Sequence, residues 1–181
     1  MYEEIIAKLK SEGVVFEEGL DEIEIQKIES FYEINFPEEL RMFYMEALPI
    51  SDGFYNWRDF DSTNTERIKE MLLRPKQDII EHVEDIDWLE CWGDYPETED
   101  DKAKIIITIL GDASTLIPIK GHRYISNQLE DNNPIFSVHG TDIICYGENL
   151  IQYLLIEFKF KKHSEIDYSQ ISKVDFWGDI I

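Results

Sequence analysis

Apolar positions in the first third of the chain recur with the period of α-helices. A capping-box pattern of Asp21 and Glu24 precedes three apolar residues at helical spacing. These three residues are Ile25, Ile28 and Tyr32. Pro37 suits the first position of a second helix, which is predicted to end before Pro49. Five apolar residues place one face of this second helix in the core: Leu40, Phe43, Tyr44, Ala47 and Leu48.

The middle of the chain predicts further helices after a short aromatic segment. Residues 54–60 form this segment, which we expect to be a strand or a strand-like loop. Thr63 and Glu66 have capping-box spacing before the next helix, and Pro75 is expected to end or kink it. A second helical stretch then has four apolar residues on one face: Ile79, Ile80, Val83 and Ile86.

The second half of the chain predicts a sheet. Residues 103–110 contain four isoleucines and predict a central strand that is buried on both faces. Shorter strands are predicted at residues 115–119, 122–126, 135–139 and 141–146. An amphipathic helix follows at residues 149–160, and in the tail Val174, Phe176 and Trp177 are expected to dock against the domain.

The order of these elements predicts an α+β fold, because helices come first, strands follow, and one helix closes the chain. We expect a mixed, mostly antiparallel sheet of about six strands, packed with N-terminal helices and a C-terminal helix. The chain has 181 residues, which suits a single domain. Its core is expected at about residues 15–160, and residues 161–181 form a C-terminal extension.

The net charge of the chain limits the kinds of molecule that it can bind. The chain has 39 acidic against 17 basic residues, a net charge of -22. Such a field repels phosphate backbones and anionic lipids, so we expect no binding to nucleic acid or to membranes. It attracts basic proteins. The N-terminus lacks the pattern of a secretory signal, and two cysteines, Cys91 and Cys145, suit reduced structural thiols; we therefore expect a cytoplasmic protein.

Candidate catalytic and metal-binding groups are sparse. The sequence has no phosphate-binding loop, no dinucleotide fingerprint, no nucleophile elbow and no zinc-protease motif. His82 and Asp85 could share a helix face, but further metal ligands are not evident. Cys91 with His122 or His139 could form a nucleophile–base pair only if the fold brings them together. We expect no catalytic residue, no metal site and no cofactor.

The most distinctive charged feature is residues 81–101, called the acid–aromatic segment below. It holds ten acidic residues, no lysine or arginine, and three interleaved aromatic residues. One interpretation of this segment is a solvated connector. The other is a recognition surface, on which acidic residues steer a basic protein towards the site and aromatic residues anchor it. The predicted partner-binding residues are Trp57, Asp85, Asp87, Trp88, Glu90, Trp92, Asp94 and Tyr95.

Polar residues at the ends of the predicted strands form a second constellation. They suit either a cleft for a ligand or partner, or a buried arginine–aspartate pair that fixes loop geometry. The cleft residues are Arg58, Asp59, His122, Arg123, Tyr124 and Asp142.

Several stretches of the sequence resemble the SMI1/KNR4, or SUKH, superfamily, in its bacterial immunity-protein-like branch. The resemblance covers residues 15–160, from a helix bearing Ile25, Ile28 and Glu29 to a strand–strand–helix ending. The stretches that carry it are NFPEELRMFY, LIPIKGHRYIS, NPIFSVHGTDIICYG and NLIQYLLIEF.

This resemblance implies an α+β fold with a mostly antiparallel sheet covered by helices. It also implies a protein-binding module without a cofactor or catalytic residues. Bacterial members are similar to immunity proteins, which neutralise polymorphic toxins, often nucleases, by binding them. The expected function is therefore stoichiometric inhibition of a basic toxin. A scaffolding or regulatory module with another protein partner, a small-ligand-binding domain and a small enzyme using His122 or His139 stay open as alternatives.

Overall fold

The computed structural model describes residues 2–51, 53–127 and 132–181. Within them the chain forms six α-helices and six strands. The helices are α1 (Glu3–Ser11), α2 (Glu22–Tyr32), α3 (Glu38–Glu46), α4 (Ser62–Glu81), α5 (Glu99–Asp112) and α6 (Leu150–Glu157). The strands are β1 (Phe16–Glu18), β2 (Ala47–Pro49), β3 (Leu116–Lys120), β4 (Arg123–Ser126), β5 (Ile135–His139) and β6 (Asp142–Gly147).

The predicted α+β class is confirmed, but the strands lie in two antiparallel sheets rather than in one mixed sheet. Strands β1 and β2 pair with each other. Strands β3 to β6 form a meander in which each strand pairs with the next along the chain. Helix α4 packs against β3 and helix α6 against β6. Because both faces of β3 are covered, Leu116, Ile117 and Ile119 are all buried.

Of the two predicted capping boxes, the one at the start of α2 is confirmed and the one at the start of α4 is not. The capping box of α2 is present in both directions: Asp21 accepts from the Glu24 amide, and Glu24 accepts from the Asp21 amide. Asn149 caps α6 through the amide of Gln152. The predicted pair Thr63 and Glu66 does not cap α4, because Asp61 takes that role by accepting from the Thr63 amide.

The central strand predicted at residues 103–110 is wrong, because this stretch lies in helix α5. Thr98 caps the helix through the amide of Asp101, and three acidic residues occupy its first turn, where they complement the helix dipole. Only one face is buried, through Ile106 and Leu110, four residues apart. Ile105 and Ile107 remain 36% and 40% exposed. Helix capping and one-sided burial therefore override the β-propensity of the isoleucines.

Two predicted helix boundaries also change. Helix α3 ends at Glu46, because Ala47 and Leu48 extend into β2 and pair with Glu18 and Glu17 of β1. Helix α4 continues through Pro75 as one helix of 20 residues. Pro75 is buried there, so packing of α4 against the sheet compensates for the backbone hydrogen bond that proline cannot make.

The core has two clusters of buried side chains. The first joins helices α1 to α4 and α6 to one part of the sheet, and Trp57 is among its largest members. The second lies between α5, the sheet and the C-terminal tail. Val174, Phe176 and Trp177 are at most 1% exposed in this second cluster, which confirms the predicted docking of the tail. The tail makes this contact without an α-helix or strand of its own.

Candidate protein-binding surface

The acid–aromatic segment runs from the last residue of α4 into the first turn of α5. It contains two 3₁₀ turns, Val83–Asp85 and Glu90–Trp92. Ile86 is buried between these turns and belongs to the second core cluster, so the first third of the segment is fixed to the domain. Lys102 of α5 donates to the carbonyl of Glu84 and ties the segment to that helix as well.

Three aromatic rings of the segment pack against one another. The ring of Trp88 contacts Trp92 edge to face, with 5.7 Å between centroids, and Tyr95 at 6.0 Å. The indole N–H of Trp88 donates to the carbonyl of Gly93, 3.0 Å away. Trp88 and Trp92 are half-buried, whereas Tyr95 is 62% exposed. The arrangement presents aromatic surface to solvent in a fixed orientation.

The C-terminal tail packs against this aromatic group and holds Trp92 in place. Trp92 stacks on Phe176, with 6.0 Å between ring centroids and 7° between ring planes. Phe176 in turn contacts Trp177, whose indole N–H donates to the carbonyl of Ser114 at 2.8 Å. The sequence predicted that the tail docks, but it did not predict that the tail positions Trp92.

Most carboxylates of the segment lack a cation. Glu99 lies 3.6 Å from Lys102, and Asp101 lies 3.4 Å from Lys104. The other eight acidic residues are exposed and have no ion pair with any residue that the structure describes. These eight are Glu81, Glu84, Asp85, Asp87, Glu90, Asp94, Glu97 and Asp100. Their charges add to one another at the surface and attract a basic partner.

The structure brings together all but one of the predicted partner-binding residues. Asp85, Asp87, Glu90, Asp94 and Tyr95 are exposed along the segment. Trp57 is the exception and is withdrawn from this surface, because it is completely buried in the first core cluster.

A cavity of about 140 Å³ adjoins the segment. Asp85 and Asp87 line it together with Thr141 of the β5–β6 turn and Ile180 of the tail. Thr141 and Ile180 were missed by sequence reasoning, since neither is near the segment in sequence.

The residues of the predicted cleft fall into two separate contact networks. Arg58 binds the β1–α2 region rather than the main sheet. Its Nε and Nη2 atoms donate to the two carboxylate oxygens of Glu24 at 2.7 and 3.1 Å, and Nη1 donates to Glu17 at 3.0 Å. It also donates to the carbonyls of Glu18 and Gly19. The expected arginine pair is therefore with glutamates and not with Asp59, which accepts hydrogen bonds from backbone and side chain near the start of α4.

Arg123 belongs to the second network, on the main sheet. It donates to the hydroxyl of Ser137 at 2.8 Å, and its guanidinium lies 3.9 Å from the ring centroid of Tyr146. Glu157 pairs with both Arg123 and Lys120, at 3.5 and 3.0 Å. These contacts fix the sheet against α6.

The other predicted cleft residues differ in exposure. Tyr124 is 1% exposed, so it is corrected to a core residue. His122 and Asp142 are exposed at the β3–β4 and β5–β6 turns, on the same end of the meander, where the ring of His122 lies 6.2 Å from that of His139. Although His122 is exposed, partial desolvation of its ring, together with the nearby Arg123 and His139, lowers the pKa of its imidazole.

Cysteines and metal ligands add no further site among the described residues. Cys91 is exposed in the acid–aromatic segment, whereas Cys145 is buried in β6, where burial raises the pKa of its thiol. No group of three or more His, Cys, Asp or Glu side chains in residues 2–51, 53–127 and 132–181 has the geometry to hold a metal ion. Within the same ranges, no helix is both long and apolar enough to cross a membrane.

Comparisons with protein-family models, with curated proteins and with solved structures find no match to this chain.

The Arg58 network gives a stability prediction with a defined pH dependence. We expect Arg58→Met to lower the free energy of unfolding by about 2 kcal/mol, because charge-assisted hydrogen bonds to a half-exposed group are lost. The hydrogen bond from Arg58 lowers the pKa of Glu24. The wild-type advantage is therefore full above the ordinary glutamate pKa of about 4.3 and shrinks as pH falls through the folded-state pKa.

Urea unfolding from pH 3 to 7 measures this difference between wild type and variant. Arg74→Met is the control, since Arg74 makes an exposed pair with Glu70 one turn away on α4; we expect a much smaller loss of stability there, because solvent screens exposed ion pairs. An Arg58→Met difference that did not shrink at low pH would contradict the assignment to Glu24.

Proposed function

We propose that this chain is an immunity-type protein of the SMI1/KNR4 (SUKH) kind, which binds and neutralises a cognate basic toxin in the cytoplasm. The observation that carries the proposal is the composition of the acid–aromatic segment as it lies in the fold. The segment carries eight exposed carboxylates without ion-pair partners among the described residues, interleaved in sequence with three packed aromatic rings. A surface of this kind suits a basic protein.

The acidic and the aromatic residues of the segment contribute to binding in different ways. Exposed ion pairs add little affinity, since solvent and salt screen them. They do accelerate association with a partner of opposite charge. Affinity is then supplied by aromatic groups that lose contact with water, and Trp88 and Tyr95 are suited to this. The combination favours a fast and tight complex.

A nuclease toxin fits this chemistry better than a neutral partner. An enzyme that cuts nucleic acid needs a basic cleft to bind the phosphate backbone. A protein that blocks such a cleft must present negative charge in the place of phosphates. The net charge of -22 and its concentration in the acid–aromatic segment support this role.

Capture from the native host, followed by a toxicity assay, tests the proposal. The wild-type chain is expected to retain one basic protein at about one-to-one stoichiometry through moderate salt. That protein, expressed alone in a bacterial host, is expected to stop growth, and co-expression of this chain is expected to restore it. A captured protein that is harmless alone, or whose toxicity persists during co-expression, would contradict the immunity function.

A second candidate, a small-ligand-binding domain, is favoured by one cavity. A space of about 410 Å³ lies between the end of α2, the middle of α4 and the start of β3. Its walls are largely apolar, and its volume is in the range of ligand sites. The apolar lining residues include Ile34, Leu72, Leu73, Pro75, Ile80 and Leu116. A rise in melting temperature with an uncharged apolar metabolite would support this candidate.

A further inference from the structure

Cation–π contacts recur across the described part of this protein. Seven lysine or arginine side chains lie over aromatic rings, at 3.9 to 5.9 Å from the ring centroid. The shortest is Arg123 over Tyr146, at 3.9 Å. The other six are Lys8 with Phe160, Lys10 with Phe16, Lys27 with Phe60, Arg67 with Tyr55, Lys69 with Phe31 and Lys120 with Phe158.

The aromatic rings of the acid–aromatic segment differ from these. None of the three has a lysine or arginine over it within the described ranges of the chain. The segment itself contains no lysine or arginine. The nearest lysines in sequence have other contacts: Lys102 with Glu84 and Glu99, and Lys104 with Asp101. The rings thus have negative surroundings and no cation of their own.

We propose that the exposed surface of Trp88 and Tyr95 receives an arginine side chain of the partner. The inference rests on the proposed function and specifies the chemical group that the surface recognises. A guanidinium is planar and weakly hydrated, so it stacks on indole and phenol rings, and its N–H groups can reach carboxylates at the same time. Glu90 and Asp94 supply exposed carboxylates next to these rings in sequence.

The rings are already oriented before a partner arrives. The Trp88 indole is held by its hydrogen bond to Gly93, and the Tyr95 hydroxyl donates to Glu99 at 3.2 Å. Trp92 beneath them is stacked on the docked Phe176. Side chains that are fixed in advance lose little conformational entropy on binding, so the cation–π contact contributes more of its energy to affinity.

Short peptides test the inference without knowledge of the partner. The probes are tetra-arginine, tetra-lysine and the uncharged isostere tetra-citrulline, each labelled with a fluorophore and titrated at low salt. Wild type is expected to bind tetra-arginine about threefold more tightly than tetra-lysine, and tetra-citrulline not measurably. In Trp88→Leu, affinity for tetra-arginine is expected to fall about fivefold and the preference for arginine to disappear.

Two further variants keep the test decisive. Tyr95→Leu changes a mostly exposed side chain, so it preserves the fold if Trp88→Leu does not, and it is expected to weaken tetra-arginine binding about threefold. Tyr168→Leu is the matched control: Tyr168 is 62% exposed, as is Tyr95, but lies outside the segment. It is expected to leave both affinities unchanged.

The outcomes separate this inference from the proposed function. Equal binding of arginine and lysine peptides, with no effect of the Trp88 and Tyr95 variants, would overturn the arginine site. The proposal that the protein binds a basic partner would still stand. A failure of wild type to bind either cationic peptide, even at low salt, would overturn both.

Discussion

Trp57→Ala is expected to lower the free energy of unfolding by about 3–5 kcal/mol, the usual cost of truncating a buried tryptophan. The side chain is completely buried, and its rings meet Tyr32 and Phe36 edge to face at 5.4 and 5.1 Å. Its indole N–H donates to the hydroxyl of Tyr44 at 3.2 Å, and Tyr44 is itself buried. Truncation removes these contacts and leaves a cavity where α2, α3 and the loop before α4 meet.

Chemical denaturation of purified variants measures this loss. Trp57→Phe keeps an aromatic ring and is expected to cost less than Trp57→Ala, because the cavity is smaller. Trp88→Ala is the matched tryptophan outside the first core cluster, and we expect a smaller loss of stability there since its side chain is half-buried. A Trp57→Ala variant as stable as wild type would contradict the placement of this side chain.

Neutralising the acidic residues that we expect to steer the partner should slow its association. The substitutions are Asp85→Asn, Asp87→Asn, Glu90→Gln and Asp94→Asn. With the captured partner at low salt, the association rate constant is expected to fall about 10- to 100-fold, because electrostatic steering changes such rates by one to three decades. The dissociation rate constant is expected to change much less, since solvent-exposed carboxylates contribute little to the bound state.

A control with the same net charge separates local steering from the overall field. Glu12, Glu33, Glu46 and Glu66 are exposed acidic residues outside the segment. Changing these four to glutamine alters the net charge by the same amount. Stopped-flow or surface-based kinetics are expected to show a decrease of less than about threefold for this control, since steering depends on charges near the interface. Equal decreases in both variants would show that the position of the acids is irrelevant.

Local signals in the sequence predicted much of the fold. The capping box of α2 acts through backbone amides within three residues, so it can be recognised without knowledge of tertiary structure. The four strands of the meander follow turn residues and apolar runs, and their positions agree with the predicted ones within two residues.

The prediction failed where the apolar pattern fitted two structures and a signal outside that pattern decided between them. Residues 103–110 are rich in isoleucine, and such a run fits a buried strand or a helix. The cap at Thr98 decides in favour of the helix, and it lies outside the apolar run. Trp57 follows the same logic: a tryptophan beside charged residues can be an anchor or a core residue, and only its packing on Tyr44 settles which.

The sequence predicted which residues make up the candidate surface. It did not predict which other parts of the chain hold these residues in place. Charge and aromatic content are visible in residues 81–101. The stacking of Trp92 on Phe176 joins residues far apart in sequence, and so does the cavity shared by Asp85, Thr141 and Ile180. The predicted cleft was divided for the same reason, since Arg58 pairs with Glu24 of α2, whereas Arg123 pairs with Glu157 of α6 beside the main sheet.

Hydrogen–deuterium exchange of this chain, alone and with one equivalent of the captured basic partner, tests the central claim most directly. Binding at the acid–aromatic segment is expected to slow amide exchange in residues 83–101 and in the tail around Phe176, which supports Trp92. Exchange in α1 and in the β1–β2 sheet is expected to stay unchanged. Protection confined to α1, to the β1–β2 sheet or to the apolar cavity beside α4, with residues 83–101 unaffected, would contradict the account.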